Sequence, residues 1–214
     1  MRAWPHCGEP MNHRVPVTDY GRLQANEGSE TCIADHLPER ISAALRRFFS
    51  VFLNAAMMHH WLMKSEPDEV SIDDLAASPG CDLPWFGVRN YQARNFMRDD
   101  MRPGDLALFY HSSCPQPGIA GICKVVRRAF PDATQFDTAS PYFDPKSTPD
   151  KPRWHNVAVR FVRKTRLLGL DELRSDHALA GMTILKRGNR LSITPVTTHE
   201  WAHIESLLAR PAPA

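Results

Sequence analysis

Past residue 58, apolar positions fall into short runs separated by Pro, Gly and Asp, whereas the first 57 residues show no sustained periodicity. His60-Trp-Leu-Met-Lys64 is a compact apolar run halted by Ser65-Glu-Pro67, which predicts a strand leaving the core. Leu106-Ala-Leu-Phe-Tyr-His111 and Gly118-Ile-Ala-Gly-Ile-Cys-Lys-Val-Val126 predict two further strands forming a buried hairpin, with Gly121 marking a bulge or a close approach. Trp154 to Arg166 alternates, with Val157, Val159 and Phe161 on one side and Arg160, Lys164 and Arg166 on the other. That basic stripe suits either a solvated strand face or a surface that follows phosphates.

Three stretches predict helices. Ser71-Ile-Asp-Asp-Leu75 opens one, with Ser71 as N-cap and Asp74 at the capping-box position. Residues 88–98 place Ala93, Phe96 and Met97 on one face and Asn90 and Arg94 on another. Thr197 to Leu208 begins with the Thr-x-x-Glu box of Thr197 and Glu200 and carries the stripe Trp201, Ile204, Leu207, Leu208. Leu170–Leu173 reads as a helical turn, and Lys186-Arg-Gly-Asn-Arg190 as a basic turn able to grip phosphate. Residues 129–153, rich in Pro, Asp, Ser and Thr, form a long connection anchored by Tyr142 and Phe143.

Residues 1–57 read as a weakly ordered extension with one amphipathic piece, Ile41 to Leu53; a native start at Met57 or Met58 would leave it untranslated. The remainder, 58–210, is one domain. A net charge of +2 over 214 residues does not announce nucleic-acid binding but permits a local basic patch. The five cysteines include no Cys-x-x-Cys pair, so idle thiols in a reducing compartment are expected rather than a disulfide framework. No apolar run reaches the roughly 20 residues of a membrane helix, and the chain reads as a cytoplasmic monomer without membrane contact.

His199-Glu-Trp-Ala-His203 spells the helical zinc-protease signature, in which two histidines one turn apart hold metal and the glutamate activates water. Glu200 already has the capping-box job, Trp201 rather than the histidines lies on the apolar stripe, and the chain after His203 is too short for a third ligand at the usual spacing. Zinc hydrolysis is therefore declined as the leading reading. No phosphate loop, dinucleotide fingerprint or Gly-x-Ser-x-Gly elbow occurs, and no cofactor is called for.

The densest polar stretch is Trp85-Phe-Gly-Val-Arg-Asn-Tyr-Gln-Ala-Arg-Asn-Phe96. Its amides, guanidinium forks and phenol suit a flat polar ligand such as a nucleobase with its phosphates, although a capped, solvated face is the commoner state of so polar a short helix. Trp61-Leu-Met-Lys-Ser-Glu-Pro67, Gly87 to Phe96, Gly104 to Ser112, Pro117-Gly-Ile-Ala-Gly121, Tyr142-Phe-Asp-Pro-Lys146 and Arg190-Leu-Ser-Ile193 together resemble the EVE domain family, over about residues 59–209. Phe86 departs from the small or polar residue of that pattern.

The resemblance implies an α+β, PUA-like curved mixed β-barrel with surrounding helices, related to the YTH readers of methylated RNA. It implies a non-enzymatic reader of modified bases, with 5-methylcytosine or 5-hydroxymethylcytosine in DNA ahead of an RNA modification. On that pattern the base would meet Lys64, Ser65, Trp85, Asn90, Tyr91, His111, Ser112 and Trp154, with Trp85 as the main stacking ring. Arg89, Arg94, Lys186, Arg187 and Arg190 would hold phosphates.

Overall fold

The structure, a computed structural model, describes residues 58–77 and 80–211. The proposed extension, its amphipathic piece and the alternative start lie outside the described residues, save Met58. In chain order the elements are β1 (His60–Ser65), α1 (Ile72–Ala77), β2 (Leu83–Pro84), α2 (Tyr91–Asn95), β3 (Leu106–His111), β4 (Gly118–Pro131), β5 (His155–Gly169), α3 (Leu170–Ser175), β6 (Ile193–Val196) and α4 (Thr198–Leu208). A π-helical turn, Phe96–Asp100, continues α2, closed where the Met101 N–H donates to the Phe96 carbonyl.

The strands form one mixed sheet in the order β2-β5-β4-β3-β1-β6. β1 and β3 run parallel, which requires the long crossover holding α1 and α2; every other pair is antiparallel. The architecture is α+β. The hydrogen-bonded ladder does not close among the described residues, with β2 and β6 left as its two edges, so the expected barrel is here an open sheet. Repeated register shifts between β4 and β5 supply its bending.

Gly121 fulfils the expected close approach: a Cβ there would lie 2.5 Å from Ile72 Cγ1 and 2.8 Å from the Arg163 carbonyl. One core cluster joins Leu62, Leu108, Tyr110, Ile119, Ile122 and Leu168 to Trp201, Ile204 and Leu207 of α4. Side chains alternate along a strand, so Met63 and Phe109 point to the opposite face. Trp85 packs edge-on against Phe109 with ring centres 5.5 Å apart.

The residues 88–98 do not form one helix. Asn90 is extended and caps α2, its Oδ1 accepting from the Gln92 and Ala93 N–H groups, so helix begins only at Tyr91. Ser71 and Asp74 do form a reciprocal box at the start of α1, with Asp reaching the Ser71 N–H at 2.8 Å. β4 runs to Pro131, longer than expected, and Phe143 is exposed rather than an anchor. Cys123 is a buried free thiol and Cys114 a half-buried one, whereas Cys81 is disulfide-bonded and departs from the expectation of idle thiols. No helix of the described residues is long and apolar enough to cross a membrane.

Candidate nucleic-acid interface

The end of β1 lies beside the end of β3, with Lys64 opposite Tyr110 and Ser65 opposite His111. Paired positions share a face, so Ser65 and His111 lie on the face of Phe109, and Lys64 lies on the other with Leu62 and Tyr110. Ser65 and His111 are both committed to the segment that enters α1. Ser65 Oγ donates to the Val70 carbonyl at 2.7 Å, and His111 Nε2 accepts from the Ile72 N–H at 3.1 Å. That bond fixes the neutral tautomer with the proton on Nδ1, and burial holds the His111 pKa below the ordinary imidazole value. The Ser112 N–H and hydroxyl both point to the Ser65 carbonyl, at 2.8 and 3.3 Å.

Trp85 sits at 7% exposure, fixed by its backbone N–H, which donates to the Val157 carbonyl, and by Phe109. Gly87 adopts φ +80°, and a Cβ there would meet the Tyr142 ring at 2.8 Å; the glycine lets the loop pass under that ring. Arg89 has every guanidinium N–H occupied: it donates to the Val88 and Tyr142 carbonyls, to Asp132 Oδ2 at 2.8 Å and to Thr134 Oγ1 at 2.9 Å. Arg94 is similarly engaged with Asn95 Oδ1 and the Arg153 carbonyl. Asn90 is exposed, and its Oδ1 caps α2.

Tyr91 differs from its neighbours. Its ring is 49% exposed and stacks on Trp154 with centres 4.9 Å apart and planes 25° apart. The Arg94 and Arg153 guanidinium groups lie 4.9 and 5.6 Å from the Tyr91 centroid, and Arg153 also donates to its hydroxyl. Trp154 beneath it is buried and donates from Nε1 to Asp144 Oδ2 at 2.7 Å. The arrangement is a half-exposed aromatic ring stacked on a buried one, with two guanidinium groups over it.

The basic residues divide by their partners. On the β5 stripe Arg160 pairs with Asp82, Lys164 with Asp73 and Arg166 with Glu172, so that stripe is neutralised within the chain. Lys186, Arg187 and Arg190 are exposed and have no acceptor among the described residues. Their turn is closed by the Asn189 N–H on the Lys186 carbonyl at 3.1 Å, with Gly188 at φ +80°. In the His-Glu-x-x-His motif, Glu200 Oε2 accepts from the Thr197 N–H at 2.8 Å, and His203 pairs with Asp176 rather than with His199.

Four residues hold this region: Asp132 and Gln135 did not stand out in the sequence, Asp144 did so only within the Tyr142–Lys146 motif, and Tyr142 is the anchor expected there. Buried Asp132 takes Arg89, the Gly87 N–H and Thr134. Buried Gln135 binds the backbone on both sides of Trp154. Asp144 joins Arg153 to Trp154, and the Lys146 N–H, Trp154 and Arg153 hold its carboxyl below the usual range. Tyr142 donates to Glu69 at 2.6 Å, and burial with that bond pushes its phenol up to about 12. The Asp-x-Thr spacing at 132–134 was the available signal, since it predicts the Asx turn seen here. A separate cleft of about 510 Å³ opens at the far end of β1, lined by His60, Trp61, Phe96 and Pro195 among others, and none of the expected base-contacting residues borders it.

The EVE domain family model matches residues 59–207. Human thymocyte nuclear protein 1 is 46% identical over 166 residues, which is 69% of this chain and 73% of that protein. A crystal structure from Pseudomonas putida is 50% identical, covering 69% of this chain and 98% of its own, with a TM-score of 0.66. The structure of human THYN1 protein in complex with 5-methylcytosine-containing DNA is 45% identical, covering 72% of this chain and 99% of its own, with a TM-score of 0.67. With the family pattern spanning most of its length, this chain belongs to the EVE domain family.

Proposed function

We propose that the chain binds modified cytosine in DNA, 5-methylcytosine or its hydroxymethyl form, without catalysing a reaction on it. The observation that carries this reading is the likeness to the human THYN1 chain solved with 5-methylcytosine-containing DNA, which this chain matches over nearly that chain's whole length. We infer a PUA-like relation for the fold, its bent open sheet representing the barrel wall.

An extruded base needs an accessible ring and polar edges. Of the three candidate rings, Trp85 and Trp154 are buried and Tyr91 is half-exposed, which favours Tyr91 on Trp154 as the platform. Ser65, Asn90, His111 and Ser112 hold the wall through the bonds described above, with Trp85 behind it. Lys186, Arg187 and Arg190, which have no acceptor among the described residues, are the cations proposed to meet phosphates, while Arg89 and Arg94 shape the loop.

Removing the Tyr91 ring tests this reading. Stacking contributes roughly 1–3 kcal/mol per base, so Tyr91→Ala should weaken binding to a duplex with one 5-methylcytosine by roughly 5- to 150-fold. Circular dichroism should show the same fold. An unchanged dissociation constant would overturn the platform, and tighter binding to a modified RNA strand than to the DNA would overturn the substrate assignment.

A further inference from the structure

The two faces of β1 separate Lys64 from the wall to which its neighbour Ser65 belongs. Ser65 and His111 look toward Phe109 and Trp85, whereas Lys64 shares the face of Leu62 and Tyr110. Ile184 and Leu185 pack against the cluster on that second face, and the next residues are the Lys186–Arg190 turn. The turn's exit returns to the same place: the Lys64 N–H donates to the Ser192 carbonyl at 2.8 Å, and Met63 pairs with Ile193. Lys64 therefore stands beside a segment whose three cations have no carboxylate partner.

Two further donors there lack acceptors. The Lys64 ammonium is half-buried and forms no hydrogen bond or ion pair among the described residues, and burial lowers its pKa. An ammonium drawn out of water without a counterion costs stability that a bound anion would offset. Asn189 is the second. Its Oδ1 accepts from the Leu191 N–H at 3.0 Å, which fixes the orientation of the amide, and its Nδ2 is buried with no acceptor. Point charges and an amide donor complement phosphate oxygens and carry no information about the base.

We propose that Lys64 takes a DNA phosphate rather than the base, in a subsite completed by Asn189 and the Lys186–Arg190 turn. The proposal rests on the modified-DNA reading above. It assigns Lys64 to positioning the strand, while the Tyr91–Trp154 platform reads the base.

The test titrates the full chain with a duplex carrying one 5-methylcytosine and with its unmethylated counterpart, across a series of salt concentrations. Lys64→Met should weaken both duplexes by the same factor, leaving their affinity ratio unchanged. It should also make the slope of log affinity against log salt shallower by about 0.9, the value of one phosphate contact. Lys64→Arg should restore the slope. Asn189→Asp keeps the acceptor for Leu191 but replaces the donor with a charged oxygen, and should likewise weaken both duplexes. A Lys64→Met variant that alters the ratio while keeping the slope would make Lys64 a base reader and overturn the proposal, as would unchanged affinity in both Lys64→Met and Asn189→Asp. Wild-type protein indifferent to methylation would refute the modified-base reading, and the slope change in Lys64→Met would still decide the phosphate subsite.

Discussion

Trp85 and Tyr91 are six positions apart in one polar stretch, yet burial gives them different work. Trp85 is almost enclosed against Phe109, so Trp85→Ala opens a cavity and should cost about 3–5 kcal/mol of stability. Chemical denaturation should show that loss, and retention of wild-type stability would show that the ring is not a core element. The residue types of this site were legible in the sequence and their jobs only partly so. Asn90 offered paired donors and acceptors, but whether it reads a ligand or caps a helix depends on the backbone around it, which here is extended. Arg89 looked free because its acceptors, Asp132, Thr134 and Tyr142, lie in a loop more than forty positions away. Exposure, which selects Tyr91, is a property of the folded surface and has no local signature.

Elements with self-contained signals were read correctly except where a cap was overlooked, and those set by distant contacts were not. The Thr197–Glu200 box marks the start of α4 from two residues. The onset of α2 at Tyr91 instead of residue 88 follows from the Asn90 cap, and β4 lengthens because β5 continues to pair with it as far as Pro131. Two of the points that tie α1 to the sheet have a testable consequence. Gly121 lets Ile72 lie on β4, so Gly121→Ala should cost about 1–3 kcal/mol by overpacking, measured as a lowered thermal midpoint. His111 Nε2 must be unprotonated to accept the Ile72 N–H. Because its folded pKa is depressed, its contribution is complete above about pH 6.5 and is lost as the pH falls through that value toward the folded pKa. The thermal midpoint should therefore fall between about pH 7 and pH 5. His111→Ala should flatten that dependence without abolishing it, since His60 and His155 are shifted in the same direction by burial. An identical pH profile in the variant would remove His111 from this role.

For the whole molecule, the apolar runs predicted β1, β3, β4 and β5 but neither β2 nor β6, and not the order of the strands. The place of β1 between β3 and β6 depends on a crossover and on a returning C-terminal strand, contacts that no local pattern encodes. Net charge was equally silent, because what matters is which cations remain unneutralised. Carboxylates of the chain itself cancel the β5 stripe, and the Lys186–Arg190 turn with Lys64 stays free. The described residues thus combine a half-exposed aromatic ring with cations that have no carboxylate partner, an arrangement suited to holding a strand while one base is examined. The most direct measurement is a calorimetric titration of the full chain with two duplexes that differ by a single cytosine methyl group. The account predicts tighter binding to the methylated duplex, with the difference lost in Tyr91→Ala; equal affinity for the two duplexes would contradict it.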